Sequence, residues 1–215
     1  MLCLSVVCSC FRLDHPLIQH KVSLLRDRNT SMKSFRDLMD EISMLMVYEI
    51  TKDFPMEEIE IETPVAKTKT RVLCDRMVSL VPILRTGIGM VHGIQKLLPN
   101  ARVGHIGLYR DQETRKTVEY YCKLPDDIAR GTVFLLGPMF AGGGSIAVAL
   151  GILRTRGCTD IRLVSIAGAR KGVERIHTEF PDVRIYCAAL DEELNPNDYI
   201  VPGLGDAGDR LFGTR

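Results

Sequence analysis

The pattern of apolar and polar residues changes near residue 72 of this chain. Residues 17–26 and 31–52 repeat apolar positions at helical spacing, so two amphipathic helices are predicted. Residues 57–63 alternate charged and β-branched side chains with period two, which predicts a half-exposed strand ending before Pro64. Residues 66–71 are predicted to form a loop.

Beyond residue 72, apolar runs of strand length are repeatedly followed by segments with a helical pattern. The predicted strands are 78–84, 103–108, 132–136, 161–166 and 183–190, and the predicted helices are 87–98, 146–154 and 172–180. This alternation predicts an α/β fold whose parallel sheet is covered by helices on both faces. The intervening residues 109–127 contain the strand-like run VEYYCK and are predicted to form a hairpin arm, a candidate lid.

The two ends of the chain differ from this central pattern. Residues 1–11 are apolar, but they lack the features of a signal peptide and are shorter than the ~20 residues of a membrane span. They are interpreted as an extension or a first strand. Residues 196–215 are rich in glycine and proline, so no regular element is predicted there. A single domain over 13–215, preceded by an extension over 1–12, is expected.

Composition narrows the possible classes of protein. The 215 residues are 46% apolar, enough for a substantial core, and 28 basic residues nearly balance 27 acidic ones. A basic face for nucleic acid or for an anionic membrane is therefore not expected. Seven cysteines without a C-x-x-C pair indicate reduced thiols in a cytoplasmic protein, and the five histidines lack the spacing of a metal site.

A glycine-rich segment joins a predicted strand to a predicted helix at residues 137–145, GPMFAGGGS. The backbone amides of 142–145 could turn toward one anion, because glycine allows positive φ and the helix dipole favours negative charge. No lysine follows the glycines, so the segment is not the P-loop of ATP-hydrolysing enzymes. A turn made only for packing is the alternative. We favour phosphate binding and call 137–145 the phosphate loop.

A second junction of the same kind, VPILRTGIGMVHG, spans residues 81–93. Gly87, Gly89 and Gly93 depart by one residue from the spacing of a dinucleotide fingerprint, which leaves an NAD-type binder as an alternative. Arg85 would instead place a guanidinium at the carboxyl end of its strand, which suits a phosphate or a diphosphate.

Two further positions carry candidate polar chemistry. Arg110 ends the next predicted strand, so parallel pairing would bring it to the same sheet edge as Arg85 and the phosphate loop. Asp206 and Asp209 lie among glycines near the end of the chain, where carboxylates can bind ribose hydroxyls or a metal. Aspartate in such turns more often caps its own backbone, and the spacing alone favours the cap.

Six segments together resemble the uracil phosphoribosyltransferases, and the likeness runs from about residue 13 to residue 215. They are DHPLIQHK (14–21), VPILRTGIGM (81–90), GHIGLYRD (104–111), the phosphate loop, AALDEELN (188–195) and YIVPGLGDAGDRLFG (199–213). The resemblance implies the type I phosphoribosyltransferase fold, a parallel sheet flanked by helices with a β-arm and a C-terminal hood. We define the hood as residues 191–215.

The resemblance also implies an activity. A pentosyltransferase of pyrimidine salvage would join uracil to 5-phosphoribosyl 1-diphosphate, giving UMP and releasing diphosphate. Mg²⁺ would be bound with the diphosphate of the substrate and not by a cluster of protein side chains. A cytoplasmic homodimer or homotetramer is implied as well, with GTP as a candidate effector.

Site residues carry over from the family position by position. The resemblance implies Arg85, Arg110 and Asp206 as catalytic residues that contact the phosphoribosyl diphosphate. The same substrate is expected to contact the whole phosphate loop, Gly137, Pro138, Met139, Phe140, Ala141, Gly142, Gly143, Gly144 and Ser145. Uracil is expected to contact the hood through Tyr199, Ile200, Gly205, Asp206 and Ala207.

The phosphate loop departs from the family pattern, which looks like DPMLATGGS. Gly137 replaces an acid expected to accept hydrogen bonds from ribose hydroxyls, Phe140 replaces a leucine, and Gly142 replaces a threonine. A charged hydrogen bond of this kind is worth about 1.5–3 kcal/mol. Two hypotheses follow: an active transferase, which we favour, and a non-catalytic relative that binds uracil or UMP.

Overall fold

Parallel strands and the helices between them make up most of the structure, which is a computed structural model describing residues 10–74, 77–111, 114 and 116–214. The first half contains β1 (Cys10–Arg12), α1 (Pro16–Arg26), α2 (Met32–Ile50), β2 (Met56–Glu62), β3 (Lys67–Leu73), β4 (Val78–Leu84), α3 (Val91–Leu97), β5 (Arg102–Val103) and β6 (His105–Arg110). The second half contains β7 (Thr117–Lys123), β8 (Thr132–Leu136), β9 (Met139–Phe140), α4 (Gly144–Thr155), β10 (Asp160–Ala169), α5 (Arg170–Glu179), β11 (Arg184–Asp191), β12 (Glu193–Leu194), β13 (Ile200–Val201) and α6 (Ala207–Phe212). Short 3₁₀ helices span Thr86–Met90 and Ile128–Arg130.

The central sheet has the strand order β1-β11-β10-β8-β4-β6-β7. All neighbours along this order pair in parallel except β6 and β7, which form an antiparallel hairpin. The predicted parallel sheet and the predicted arm are thus both confirmed. Most of the expected N-terminal extension, residues 1–9, lies outside the described residues, as do positions 112, 113 and 115 of the arm and residue 215 of the hood.

Alternation along the buried strands creates one core on each face of the sheet. In β8, Phe134 and Leu136 join the core beneath α1, α2 and α6, whereas Val133 and Leu135 join the core beneath α4 and α5. Successive side chains of a strand point to opposite faces, so one continuous apolar run supplies both cores. The carboxyl ends of the parallel strands lie at one edge of the sheet, where the segments that follow them can form a binding site.

Three sequence predictions need correction. Residues 66–71 are not a loop, because Lys67–Leu73 forms β3 and pairs with β2 along its whole length. The predicted helix over 87–98 is divided into a 3₁₀ turn and α3. The tail does contain regular structure, since α6 begins where the Asp206 carboxylate accepts a hydrogen bond from the Asp209 amide at 2.9 Å and ends at Gly213, whose φ is 68°.

Two of the described cysteines, Cys122 and Cys158, have the environment of structural thiols. Cys10, Cys74, Cys122, Cys158 and Cys187 are all free. Burial raises the pKa of the Cys158 thiol, and burial together with the charge of Glu119 raises the pKa of Cys122. A raised pKa leaves less thiolate at neutral pH, so neither side chain is suited to nucleophilic chemistry. No helix among the described residues is long and apolar enough to cross a membrane.

Candidate active site

A cavity of about 820 Å³ opens at the carboxyl ends of β4, β6 and β8. The phosphate loop forms much of its wall, contributing Gly137 and residues 139–145. Arg110 from the end of β6 and Thr86 from the end of β4 line the same space. Ligands of open α/β sheets bind at this edge, and the structure brings Arg110 and the phosphate loop together there, as expected from the sequence.

The first part of the phosphate loop is fixed against β10. The Gly137 amide donates to the Val164 carbonyl at 3.2 Å, and the Pro138 carbonyl accepts from the amides of Ile166 and Ala167 at 3.1 and 2.9 Å. Pro138 has no backbone N–H that needs a hydrogen-bond partner, which suits its position between β8 and β9. Residues Met139–Phe140 then pair with β10 as β9, so this half of the loop is rigid.

The second part of the loop is the N-terminus of α4. Gly143 caps the helix with a φ of 77°, a left-handed conformation that favours glycine. The Ala147 amide donates to the Gly143 carbonyl at 2.9 Å, so the amides of 144–146 precede the first bond of the helix ladder. Gly144 and Ser145 line the cavity, and the helix dipole favours an anion beside them.

The two predicted arginines have different surroundings. The Arg110 guanidinium donates to the Asp198 carboxylate at 3.0 Å, and both residues line the cavity. The Arg85 guanidinium lies 5.4 Å from the centre of the Phe212 ring, in cation–π contact with the hood. The chain neighbours of Arg85, Leu84 and Thr86, line the cavity. Arg85 therefore reaches the expected sheet edge, with its guanidinium packed against the hood.

The hood is anchored over this edge by an ion pair. The Arg26 guanidinium donates to both carboxylate oxygens of Asp191 at 2.9 and 2.7 Å, and also to the Gly203 carbonyl at 2.9 Å. The Asp191 carboxylate in turn accepts from the Gly203 amide at 3.1 Å. Such a bidentate pair with backbone partners fixes the turn geometrically.

Residues expected to contact uracil lie along the same hood. Ile200 and Ala207 are buried, while Tyr199, Gly205 and Asp206 are exposed. A Cβ at Gly208, one residue beyond Ala207, would lie 3.3 Å from Cγ2 of the cavity-lining Thr86. The first turn of α6 therefore approaches the mouth of the cavity. Asp206 acts as the cap of α6, as its spacing favoured.

Packing accounts for the three glycines that raised the dinucleotide alternative. A Cβ at Gly87 would lie 2.4 Å from the Leu136 carbonyl oxygen, and one at Gly93 would lie 2.2 Å from that of Asp40. A Cβ at Gly89 would lie 2.8 Å from Cδ2 of Leu211. Backbone neighbours require glycine at positions 87 and 93, and close side-chain packing accounts for Gly89, so the three glycines need no bound dinucleotide.

Several residues of the cavity were missed by sequence reasoning. Lys116 and Thr117 enter from the arm, Lys171 and Arg175 from α5, and Asp198 from the hood. The i, i+4 spacing of Lys171 and Arg175 on a helix that follows a central strand was an available signal. Among the described residues, no group of three His, Cys, Asp or Glu side chains could bind a metal ion. Among the residues that line the cavity, Asp198 carries a carboxylate.

Fold and site together define a class of protein. A parallel sheet with a glycine-rich loop at a helix N-terminus, a β-arm beside it and a C-terminal hood is the arrangement of a type I phosphoribosyltransferase. A hypoxanthine phosphoribosyltransferase from Staphylococcus aureus shares the fold, with a TM-score of 0.50 at 10% identity, over 85% of this chain and 84% of that chain.

The chain belongs to the uracil phosphoribosyltransferase family, whose model matches residues 12–214. A uracil phosphoribosyltransferase from Thermoanaerobacter sp. strain X514 is 57% identical over 205 residues, 95% of this chain and 98% of the relative. The solved structure of the AQ2163 protein from Aquifex aeolicus has a TM-score of 0.90 at 37% identity, covering 95% of this chain and 98% of that one. The family resemblance seen in the motifs is thereby confirmed.

Proposed function

We propose that this protein transfers the 5-phosphoribosyl group of 5-phosphoribosyl 1-diphosphate to uracil, forming UMP and diphosphate. The observation that carries the proposal is the convergence of the phosphate loop and Arg110 in one cavity. The hood, where the family resemblance implies that uracil binds, lies beside it. A substrate with phosphates at both ends needs two anion sites separated by a ribose. The N-terminus of α4 and the Arg110 guanidinium supply two such sites.

In this proposal the protein orients the reactants and stabilises charge. The first-turn amides of α4 bind the 5-phosphate, and Arg110 exchanges Asp198 for the diphosphate as it becomes the leaving group. Uracil held by backbone groups of the hood attacks C1′ of an oxocarbenium-like ribose through N1 as the C1′–O bond to the diphosphate breaks. The N1 proton leaves with the diphosphate, so no covalent nucleophile is required. Contacts of Arg85 and Asp206 with the phosphoribosyl substrate remain predictions of the family resemblance.

Magnesium enters this scheme as part of the substrate. The cavity lining contains Arg110, Lys116, Lys171 and Arg175 against the carboxylate of Asp198, a donor set suited to phosphate oxygens. A magnesium ion bound to the diphosphate would neutralise negative charge on the leaving group, and few protein side chains would coordinate it. Titration of MgCl₂ at fixed substrate tests this point, since turnover without a divalent cation would contradict it.

The proposal includes a homo-oligomer. Ile59 and Ile61 project from one face of the hairpin formed by β2 and β3, and both side chains are more than a third exposed. Isolated two-stranded hairpins are marginally stable in water, which favours burial of this face against a second copy. Light scattering of the purified protein measures the assembly, and a monomer at micromolar concentration would contradict this part.

A direct turnover assay tests the function. Purified protein with labelled uracil, 5-phosphoribosyl 1-diphosphate and Mg²⁺ is expected to form UMP, whereas hypoxanthine in place of uracil is expected to give no nucleotide. GTP added to the same assay tests the effector. Failure to form UMP over a range of pH and substrate concentrations would refute the transferase. UMP binding in calorimetry without turnover would instead favour the non-catalytic alternative.

A further inference from the structure

Helix α5 packs directly against the phosphate loop. A Cβ at Gly172 would lie 2.3 Å from the Ala141 carbonyl oxygen, and a Cβ at Gly143 would lie 3.2 Å from the Gly172 carbonyl oxygen. The two backbones can approach each other this closely because neither Gly143 nor Gly172 has a side chain. The first turn of α5 and the N-terminus of α4 therefore lie against each other.

This close approach brings the Arg175 side chain to the loop. Arg175 lies three residues beyond Gly172 on α5, and its Cδ atom is 3.5 Å from the position of a Cβ at Gly143. Its Nη1 atom is 3.4 Å from the position of a Cβ at Gly144. The aliphatic stem thus runs past Gly143, and the guanidinium ends beside the first residue of α4.

A neighbouring carboxylate orients this guanidinium. Nε of Arg175 donates to Glu179 at 2.7 Å, one turn further along the same helix. The pair holds the Nε edge toward α5, while Nη1 lies at the loop. Lys171, one turn earlier, lines the same cavity and adds a second cation on this side. Arginine is favoured for phosphate because its planar fork can donate two parallel hydrogen bonds.

The loop itself offers a phosphate few side-chain donors. Residues 142, 143 and 144 are all glycine, and Ser145 supplies the first hydroxyl after them. Without a charged side chain, the neutral backbone amides and the Ser145 hydroxyl would bind the anion with help from the helix dipole. A charged donor is roughly twice as strong as a neutral one, so a guanidinium at this position would add substantially to the binding of a dianion.

We propose that Arg175 is a binding residue for the phosphomonoester end of the substrate, with Lys171 adding charge beside it. The inference rests on the proposed function in taking the phosphate loop as the site of the 5-phosphate. It goes further in assigning side chains of α5 to a group that the family motif assigns to the loop. The chemical class recognised is a sugar phosphate dianion.

Binding of ribose 5-phosphate, measured by calorimetry on the full-length protein, tests the inference without requiring turnover. Arg175→Gln is expected to weaken binding of ribose 5-phosphate about tenfold or more, and Arg175→Lys to weaken it less. The same variants should raise KM for 5-phosphoribosyl 1-diphosphate and leave KM for uracil unchanged. Arg170→Gln is the matched control, because Arg170 lies on the same helix but pairs with Glu192.

The outcomes separate this inference from the proposed function. Unchanged ribose 5-phosphate binding in Arg175→Gln would overturn it, and so would an equal loss in Arg170→Gln, which would indicate a general effect of charge. If wild-type protein forms no UMP while Arg175→Gln weakens ribose 5-phosphate binding, the transferase fails and the phosphate site stands. If wild-type protein forms UMP and Arg175→Gln has unchanged KM values, the transferase stands and the role of Arg175 in phosphate binding fails.

Discussion

Replacing Gly137 by aspartate restores the acid that the family pattern carries at the start of the phosphate loop. Gly137 lines the cavity directly after β8. A carboxylate there would face the space where the ribose of the substrate is proposed to lie. The substitution therefore tests whether the missing acid limits catalysis in this chain.

The structure indicates that the new side chain fits. A Cβ at position 137 would lie 3.2 Å from Cδ1 of Ile146, 3.9 Å from the Met139 carbonyl oxygen and 4.0 Å from Cδ1 of Ile83. The tightest contact is with the end of a flexible side chain, which can move by a few tenths of an ångström. The added Cβ costs about 1 kcal/mol of stability, the lower end for adding atoms to a packed site, and desolvation of the carboxylate at this buried position adds to that cost.

The expected gain in activity follows from the hydrogen bond supplied. A charged hydrogen bond to a ribose hydroxyl contributes about 1.5–3 kcal/mol, which corresponds to roughly ten- to a hundred-fold in rate or binding. We expect Gly137→Asp to raise kcat/KM for 5-phosphoribosyl 1-diphosphate by that factor. Gly137→Asn, which keeps the shape without the charge, should gain less.

Steady-state kinetics with varied 5-phosphoribosyl 1-diphosphate measures the effect, and a melting temperature within a few degrees of wild type shows that the fold is intact. Gly137→Ala is the matched control, since it adds the same Cβ without a polar group. Equal kinetics for the alanine and aspartate variants, or no gain in a folded aspartate variant, would refute the assigned role of this position.

Three further substitutions test other parts of the structure. Asp198→Asn should lower KM for 5-phosphoribosyl 1-diphosphate by up to about fivefold in steady-state kinetics, because the exposed pair with Arg110 is worth about 0–1 kcal/mol and competes with the diphosphate. An unchanged KM would contradict this competition. Gly143→Ala forces a left-handed residue against the Gly172 carbonyl oxygen, so we expect about 1–3 kcal/mol of destabilisation in urea unfolding and weaker ribose 5-phosphate binding. Burial would raise the pKa of Asp160, but hydrogen bonds from Thr132 and Arg184 outweigh it and lower that pKa. The stabilisation is therefore present above about pH 4, the ordinary aspartate pKa, and is lost as the pH falls through the lowered value. Asp160→Asn should cost about 1–3 kcal/mol at pH 7 and progressively less in acid, and a deficit independent of pH would contradict the charge argument.

Sequence reasoning identifies the elements whose pattern is local. Strand β4 is predictable to the residue because all of its seven positions except Ser79 are apolar. Strand β3 is not, since Lys67–Leu73 is charged and threonine-rich and is held by pairing with β2, including an ion pair between Lys69 and Glu58 at 3.2 Å. A strand defined by its partner has no apolar signature of its own.

The residues of the candidate site fall into the same two groups, those with a local sequence signal and those that depend on tertiary contacts. The phosphate loop and Arg110 are recognisable because their chemistry follows the ends of predictable strands. Asp198 is not, and the spacing of Arg175 from Lys171 does not by itself bring Arg175 to the loop, because these approaches depend on a hood turn and on glycine contacts between α5 and the loop. Asp198 has a positive φ of 62°, which neighbouring residue types alone do not predict.

The change at Gly137 and the cations of α5 act on different steps of the proposed reaction. A guanidinium beside the helix N-terminus attracts the 5-phosphate equally in the ground state and in the transition state, because that phosphate does not change during transfer. It therefore strengthens binding without lowering the barrier of the chemical step. An acid at position 137 would contact the ribose, where positive charge develops as the diphosphate leaves, and would stabilise the transition state selectively. Tight binding of the phosphate through Arg175 consequently cannot replace the missing acid. The kinetic effect of Gly137→Asp should appear mainly in kcat and that of Arg175→Gln mainly in KM.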